Sequence, residues 1–255
     1  MTFRLLSITL ILWASIFSGG TEAGERSAVL FDQGHGQRFL VEKTGPLDLS
    51  NLSELFKQKE FSVKSSKTTL SNEVLSDAAS LVISGPFIPF SAEEIDSIVN
   101  FIERGGRLCI MLHIGAPVAE LLHRLGVDVS NSVVREREGV IESEPLNFHV
   151  TRLANHDLNK GLKQFNIYGG WALVNTGDNA AIIAETSPTS WVDLNGDKKF
   201  SAGDAVQSFG VAVAGTIGKG KFVVFGDDAI FQNKFLDEVN ILLGKNLVEW
   251  LTEGN

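Results

Sequence analysis

One cysteine, Cys109, is present in 255 residues, so no disulfide can form within the chain. Stability must therefore come from a buried core, or from a bound ion. Positive charge is also in short supply: 22 Lys and Arg stand against 31 Asp and Glu, a formal net charge of −9. That balance argues against nucleic acid and against anionic membrane surfaces as partners. No long hydrophobic run exists. The most extended one, Leu5 to Phe17, falls short of the roughly 20 residues a membrane span needs. A G-x-S-x-G nucleophile elbow is missing too, which removes the serine-hydrolase version of an α/β active site. Repeats, low-complexity tracts and long linkers are likewise absent.

The N-terminus does carry a recognisable order. Arg4 precedes the apolar run, and a small-residue stretch follows it, ending at Thr21-Glu22-Ala23. This is the pattern of a secretory signal peptide cut after Ala23, leaving residues 24–255 as one exported, periplasmic or secreted domain. The alternative is an uncleaved anchor, the one route by which the chain would meet a membrane. Loss of residues 1–23 removes Arg4 and Glu22 together and leaves the net charge at −9.

Beyond Ala23 the hydrophobic pattern predicts alternating strands and helices. "AVLF" from Ala28 reads as a buried strand stopped by "DQGHGQ". Leu49, Leu52, Leu55 and Phe56 share one face of a helix over 47–59. "FSVK" and "ASLVISGP" read as strands. "SAEEIDSIVNFIERGG" is a helix with Ser91 at its N-cap, Glu94 completing a capping box, and Gly105-Gly106 ending it. "RLCIMLH", a short helix "APVAELLHRLG" and a strand "VDVS" follow. This rhythm predicts a parallel sheet covered on both faces. The second half is richer in strands ("NIYGGWALV", "AAIIAET", "SFGVAVAG", "KFVVFG") and closes with a helix, "NILLGKNLVEWL".

Three stretches in order, "VLFDQGHGQRF", "LVISGPFIPFSAEEIDSIVNFIERGGRL" and "GKGKFVVFGDDAIFQN", resemble the class I glutamine amidotransferase-like superfamily. They are most similar to the branch related to gliding-motility and ABC-transporter auxiliary proteins and to an intraflagellar transport subunit. The resemblance implies a flavodoxin-like, class I amidotransferase-like α/β fold and a non-catalytic role, with carbohydrate or protein binding. The residues agree on catalysis. An amidotransferase needs a cysteine exposed at the turn from strand to helix. Cys109 lies inside the apolar strand instead, and the elbow reads His113-Ile114-Gly115-Ala116-Pro117, with no attacking group.

Ligands of open parallel sheets bind beyond the carboxyl ends of the strands. There the sequence places Asp32 and His35, His113, and Asp227 with Asp228, while Trp171 offers a stacking face for a sugar ring. If they converge, two imidazoles and three carboxylates line one ligand site. The bland alternative has the aspartates capping loops, His35 on a surface turn and Trp171 in the core.

"DLNGDKKFSAGD" has the oxygen spacing of an EF-hand or dockerin calcium loop. Asp193, Asn195, Asp197, Lys199 (through its carbonyl), Ser201 and Asp204 take the ligand positions for Ca2+. One departure stands out. Position six, normally Gly, is Lys198, at a place where the turn demands positive φ. The competing reading is a polar hairpin turn held by Asx side chains.

The reading these features favour is an exported domain that binds a small molecule or carbohydrate, or an envelope protein partner. Its rivals are an envelope hydrolase using His35 with Asp32 or Asp227, and a structural subunit presenting an apolar patch.

Overall fold

The computed structural model describes residues 28–253, so the expected signal segment lies outside the described residues. The chain runs β1 (Ala28–Asp32), α1 (Ser50–Gln58), β2 (Ser62–Ser66), β3 (Ser80–Ser84), α2 (Ala92–Glu103), β4 (Arg107–Met111) and α3 (Ala119–Arg124). It continues through β5 (Val127–Arg135), β6 (Val140–Ile141), β7 (Glu144–Val150), β8 (Arg152–Leu153), β9 (Phe165–Tyr168), β10 (Trp171–Asn175) and β11 (Ala180–Glu185). The last elements are β12 (Trp191–Val192), β13 (Ala205–Val206), β14 (Gly210–Ile217), β15 (Gly220–Phe225) and α4 (Ile241–Thr252). Among the described residues no helix is long and apolar enough to cross a membrane.

The main sheet has the order β13-β12-β5-β10-β14-β15-β4-β3-β1-β2. From β15 to β2 every pairing is parallel; from β15 to β13 every pairing is antiparallel. The parallel block is buried on both faces, as its continuous apolar strands require. Val29, Phe31, Val82, Cys109, Met111, Val223 and Phe225 pack on the side of α1 and α4. Leu30, Leu81, Ile83, Leu108, Ile110 and Val224 pack on the side of α2 and α3. The capping box of α2 forms as read: Ser91 Oγ accepts from the Glu94 N–H at 3.2 Å, and Glu94 Oε2 accepts from the Ser91 N–H at 3.0 Å.

The α/β class and the strand-rich C-terminal half are as expected; the sheet differs in two respects. It is mixed, because the stretch beginning "VDVS" extends to nine residues as β5 and runs antiparallel between β10 and β12. Its half-exposed side chains suit a strand with one solvated face, which a parallel strand under two helix layers does not have. The stretch "NIYGGWALV" is two strands, not one. Gly169, at φ +97°, breaks it, leaving β9 in a separate three-stranded sheet with β6 and β7 while β10 joins the main sheet. The loop 193–204 lies between β12 and β13.

Candidate functional site

The strand ends hold two polar sets rather than one. The first centres on His35, in the loop after β1. Its Nδ1 lies 2.9 and 3.0 Å from the carboxylate oxygens of Asp32, and its Nε2 lies 3.1 Å from Glu94 Oε1. Gln37 Nε2 donates to Asp32 Oδ2 at 2.5 Å, and the imidazole stacks on Phe90 at 3.9 Å between centroids. Asp32 and His35 are 3 % and 5 % exposed, so the set is sealed inside the fold. With a carboxylate on each ring nitrogen, both nitrogens must donate, which requires the imidazolium. Burial alone would lower the His35 pKa, but the bond and charge of Asp32 and the charge of Glu94 outweigh it and hold it above 6.5. His35 thus has no free nitrogen for chemistry. It ties the loop after β1 to the first turn of α2.

The second set centres on His113, two residues past β4. Its Nδ1 sits 3.2 Å from Asp228 Oδ1, with the side chain 39 % exposed. The ring is flanked by Phe39 and Phe87, each 5.3 Å away, and the Arg38 guanidinium lies 4.4 Å above Phe87. Trp171 is half-buried and its indole N–H donates to the His113 carbonyl at 3.0 Å. The hydrogen bond to Asp228 raises the His113 pKa against the opposing effect of burial. Beneath the ring lies an acidic floor. Asp227 accepts from the backbone N–H groups of Tyr168 at 2.7 Å and Ala229 at 2.9 Å. Burial, then the charge of Asp228, push the Asp227 pKa up to about 7. Asp228 is raised as well, first by burial.

Of the side-chain polar atoms that are buried without a hydrogen-bond partner among the described residues, there are four: Gln33 Oε1, Ser84 Oγ, Arg135 Nη1 and Asp228 Oδ2. Three of them stand at carboxyl ends of the parallel block: Gln33 after β1, Ser84 closing the adjacent β3, and Asp228 after β15, which β4 separates from β3. Asp32 is level with Ile83, and Ser84 with Met111, which is level in turn with Phe225. Gln33 and Ser84 therefore share one level. Asp228 folds back onto it, its N–H donating to the Leu112 carbonyl at 2.9 Å. Gly85, at φ +55°, makes this approach possible. A Cβ there would lie 2.6 Å from Asp228 Oδ2 and 3.1 Å from His113 Cβ.

So His113, Asp228, Trp171 and the neighbouring Asp227 come together, while Asp32 and His35 join Glu94 elsewhere. Sequence reasoning missed Gln33, Ser84, Phe39, Phe87, Arg38 and the second role of Glu94. "GP" after Ser84 marked a turn; nothing marked the aromatic pair around His113. Cys109 is fully buried, and burial raises its thiol well above the ordinary range. A thiol so placed is not a nucleophile.

The loop 193–204 is held by its own acceptors. Asp193 Oδ1 and Oδ2 take the N–H groups of Gly196 (2.7 Å) and Lys198 (2.8 Å). Asn195 and Asp197 take those of Asp197 (2.9 Å) and Lys199 (2.8 Å). Asp204 takes that of Ser201 at 2.7 Å, and Asn195 Nδ2 donates to Ser201 Oγ at 2.9 Å. Lys198 carries φ +61°, the left-handed conformation that position six of a calcium loop demands. No group of three or more His, Cys, Asp or Glu side chains suited to a metal occurs among the described residues. Asp193, Asp197 and Asp204 thus each accept backbone N–H groups of their own loop.

Comparison with solved structures places the fold. The chain is similar to the N-terminal domain of mmIFT52, with TM-score 0.71 and 20 % identity, over 89 % of this chain and 98 % of that one. It is similar to the cytoplasmic protein STM1381 from Salmonella typhimurium LT2, with TM-score 0.57 and 16 % identity over 89 % and 100 % of the two chains. A ThuA-like protein from Bacteroides uniformis ATCC 8492 matches with TM-score 0.55 and 13 % identity, over 94 % and 96 %. These likenesses speak for the fold, and it is consistent with a class I amidotransferase-like architecture. No curated protein matches the chain. The family model that matches spans residues 42–252, and the chain belongs to that family, the domain of unknown function DUF4350.

Proposed function

We propose that this is an exported, non-catalytic member of the amidotransferase-like branch that includes the intraflagellar and gliding-motility relatives. In this reading it binds a polar ligand at the strand-end crevice around His113. One observation carries the proposal: Asp228, which holds His113, keeps a buried second oxygen with no hydrogen-bond partner among the described residues, and the unpartnered Ser84 Oγ stands next in the chain to the Gly85 on which Asp228 packs. Each such atom costs about 1–3 kcal/mol when left unmade, and a ligand that supplies partners recovers that cost. The atoms are a carboxylate oxygen and a hydroxyl, so the ligand must bring hydrogen-bond donors. Carbohydrate hydroxyls fit, with Trp171, Phe39 and Phe87 supplying apolar rims. The loop 193–204 is read as a structural Ca2+ loop of the same domain, with Asp193, Asn195, Asp197, Ser201, Asp204 and the Lys199 carbonyl as ligands.

A screen of sugars by thermal shift tests this, because a ligand that binds only the folded form raises Tm. The expected result is a sugar whose shift disappears in His113→Ala. A sugar-independent Tm across the screen sinks the reading.

One observation favours a second reading, a hydrolase with a water nucleophile. His113 is oriented through Nδ1 by a buried carboxylate and keeps Nε2 clear, as a general base requires. Turnover of a glycoside or amide substrate, lost in His113→Gln, would establish it in place of the first.

A further inference from the structure

A second polar site backs onto the first and is built from different residues. A surface cavity of ≈ 540 Å³ opens between the small sheet and the segment before α4, lined among others by Glu142, Asn147, His149, Tyr168, Phe235 and Asp237. Its floor is a buried amide relay. Asn240 is fully buried; its Oδ1 accepts the Asn166 N–H at 2.8 Å, and its Nδ2 reaches the Asn166 carbonyl at 3.2 Å. Asn166, itself 5 % exposed, spends its side chain on two half-buried rings. It meets His149 Nδ1 at 2.6 Å and Tyr168 Oη at 3.3 Å.

That relay fixes the polarity of the cavity wall. If the Asn166 amide nitrogen faces Tyr168, the phenol accepts there and turns its own proton outward, while His149 Nδ1–H donates to Asn166 and leaves Nε2 as an acceptor. If the amide is reversed, the phenol donates inward and His149 Nε2 carries the proton. Either way the two rings present one donor and one acceptor. Gln164 Nε2, 3.2 Å from His149 Nδ1, makes the weaker contact at that nitrogen.

The remaining wall extends the alternation. Asn147 forms no side-chain hydrogen bond among the described residues and offers both polarities. Asp237 Oδ1 is taken by the N–H groups of Val239 (2.9 Å) and Asn240 (3.1 Å), leaving the other oxygen to accept. Glu142 stands at the rim in a two-residue turn with Ser143. Both adopt positive φ, +52° and +62°, where Gly or Asn is the ordinary choice. Tyr168 stacks on Phe235 at 4.1 Å, forming an apolar wall. Lys234, 4.9 Å from the Phe235 ring, already supplies a cation to that pair, which disfavours a cationic ligand. The flanking carboxylates disfavour an anion.

We infer that this cavity binds a neutral polyhydroxylated ring, a sugar residue, through Tyr168, His149, Asn147 and Asp237. Each hydroxyl of such a ring both donates and accepts, matching a wall that alternates the two. The inference does not rest on the His113 crevice; the two share only Asp227, which receives the Tyr168 backbone N–H from behind.

The test is a ¹H–¹⁵N NMR titration of the purified protein with N-acetylglucosamine, methyl β-galactoside and methyl α-glucoside, and with choline as a cationic probe. At least one sugar is expected to shift the amides of Glu142, Asn147, His149, Tyr168 and Phe235. Tyr168→Phe and Asn147→Ala should each weaken that binding about ten-fold, the loss of one well-formed hydrogen bond. Both variants keep the ring stack or lie on the surface, so folding is checked by the unperturbed amides of the main sheet. No sugar shifts at these residues up to tens of millimolar would overturn the inference. So would shifts that survive both substitutions, or binding of choline alone. Shifts confined to His113 and Trp171 would overturn it while leaving the crevice reading standing.

Discussion

His35 and His113 follow the ends of neighbouring parts of one sheet, and each imidazole rests on a buried aspartate. What separates them is the second nitrogen. His35 Nε2 is bound to Glu94 and the ring is sealed under Phe90. His113 Nε2 has no hydrogen bond among the described residues, and its partly exposed ring lies 5.3 Å from each of two phenylalanine rings. The saturated histidine ties two segments together; the half-satisfied one is the group on which the proposed ligand site depends. Proximity of His to Asp is therefore no guide to function until every ring nitrogen is accounted for.

Breaking the two sets should have unlike costs. Glu94 serves His35, the Leu70 N–H at 3.0 Å and the N-terminus of α2. Glu94→Ala strands a buried imidazolium and removes a cap, so it should destabilise by about 3 kcal/mol or more in urea unfolding. Asp228→Asn removes a charge that burial already disfavours and whose second oxygen has no partner. It should stay within about 1 kcal/mol of wild type. Equal losses for the two variants would erase the distinction.

The pH dependence separates them more finely. His35 is raised above 6.5 in the folded state, so its contribution is complete below 6.5 and is lost as pH rises through the folded value. Asp227 works in the same direction. Its carboxyl pKa rises from 3.8 to about 7, so its contribution is complete below 3.8 and is lost as pH rises from about 4 to about 7. Stability should therefore fall as pH rises from about 4 to 7 through Asp227 and go on falling above 6.5 through His35. His35→Gln should flatten that slope more than His113→Gln, because His113 is half exposed and solvent screens its pair. A slope that is flat or rising in the wild type contradicts both charge assignments.

The sequence-level reading of these sets succeeded where the signal was local. Apolar runs located β1, β3, β4 and β15, the alternation in "FSVK" located β2, and the Ser91–Glu94 spacing located the start of α2. Glu94 was legible as a cap because capping is a three-residue relation. Its bond to His35 spans 59 residues in the chain and leaves no periodic trace. The direction of β5 was hidden for a similar reason: pairing partners β10 and β12 lie downstream, and "VDVS" alone suits either direction. Gly169-Gly170 was visible as a pair of glycines, yet only the left-handed φ of Gly169 shows that the chain changes sheets there. The strand-end position of His113 and Asp228 followed from the fold class; the rings of Phe39 and Phe87 reach it from loops no pattern could aim.

The smallest effect concerns Lys198, where a rule inferred from spacing met a residue that breaks it. The loop keeps φ +61° at Lys198, with the N–H bound to Asp193. A non-glycine residue there carries local strain that glycine does not. Lys198→Gly should therefore stabilise by about 0.5–1 kcal/mol, since no other bond in the loop depends on the lysine side chain's Cβ. Adding millimolar calcium distinguishes why the strain is kept. If the loop takes Ca2+, the metal should raise the Tm of the wild type. It should do so at least as much in Lys198→Gly, which also sheds a repelling charge, and not at all in Asp193→Ala. If calcium and chelator leave all three unchanged, the Asp193 carboxylate serves only the N–H groups of Gly196 and Lys198, and the strained lysine is simply the cost of a tight polar turn.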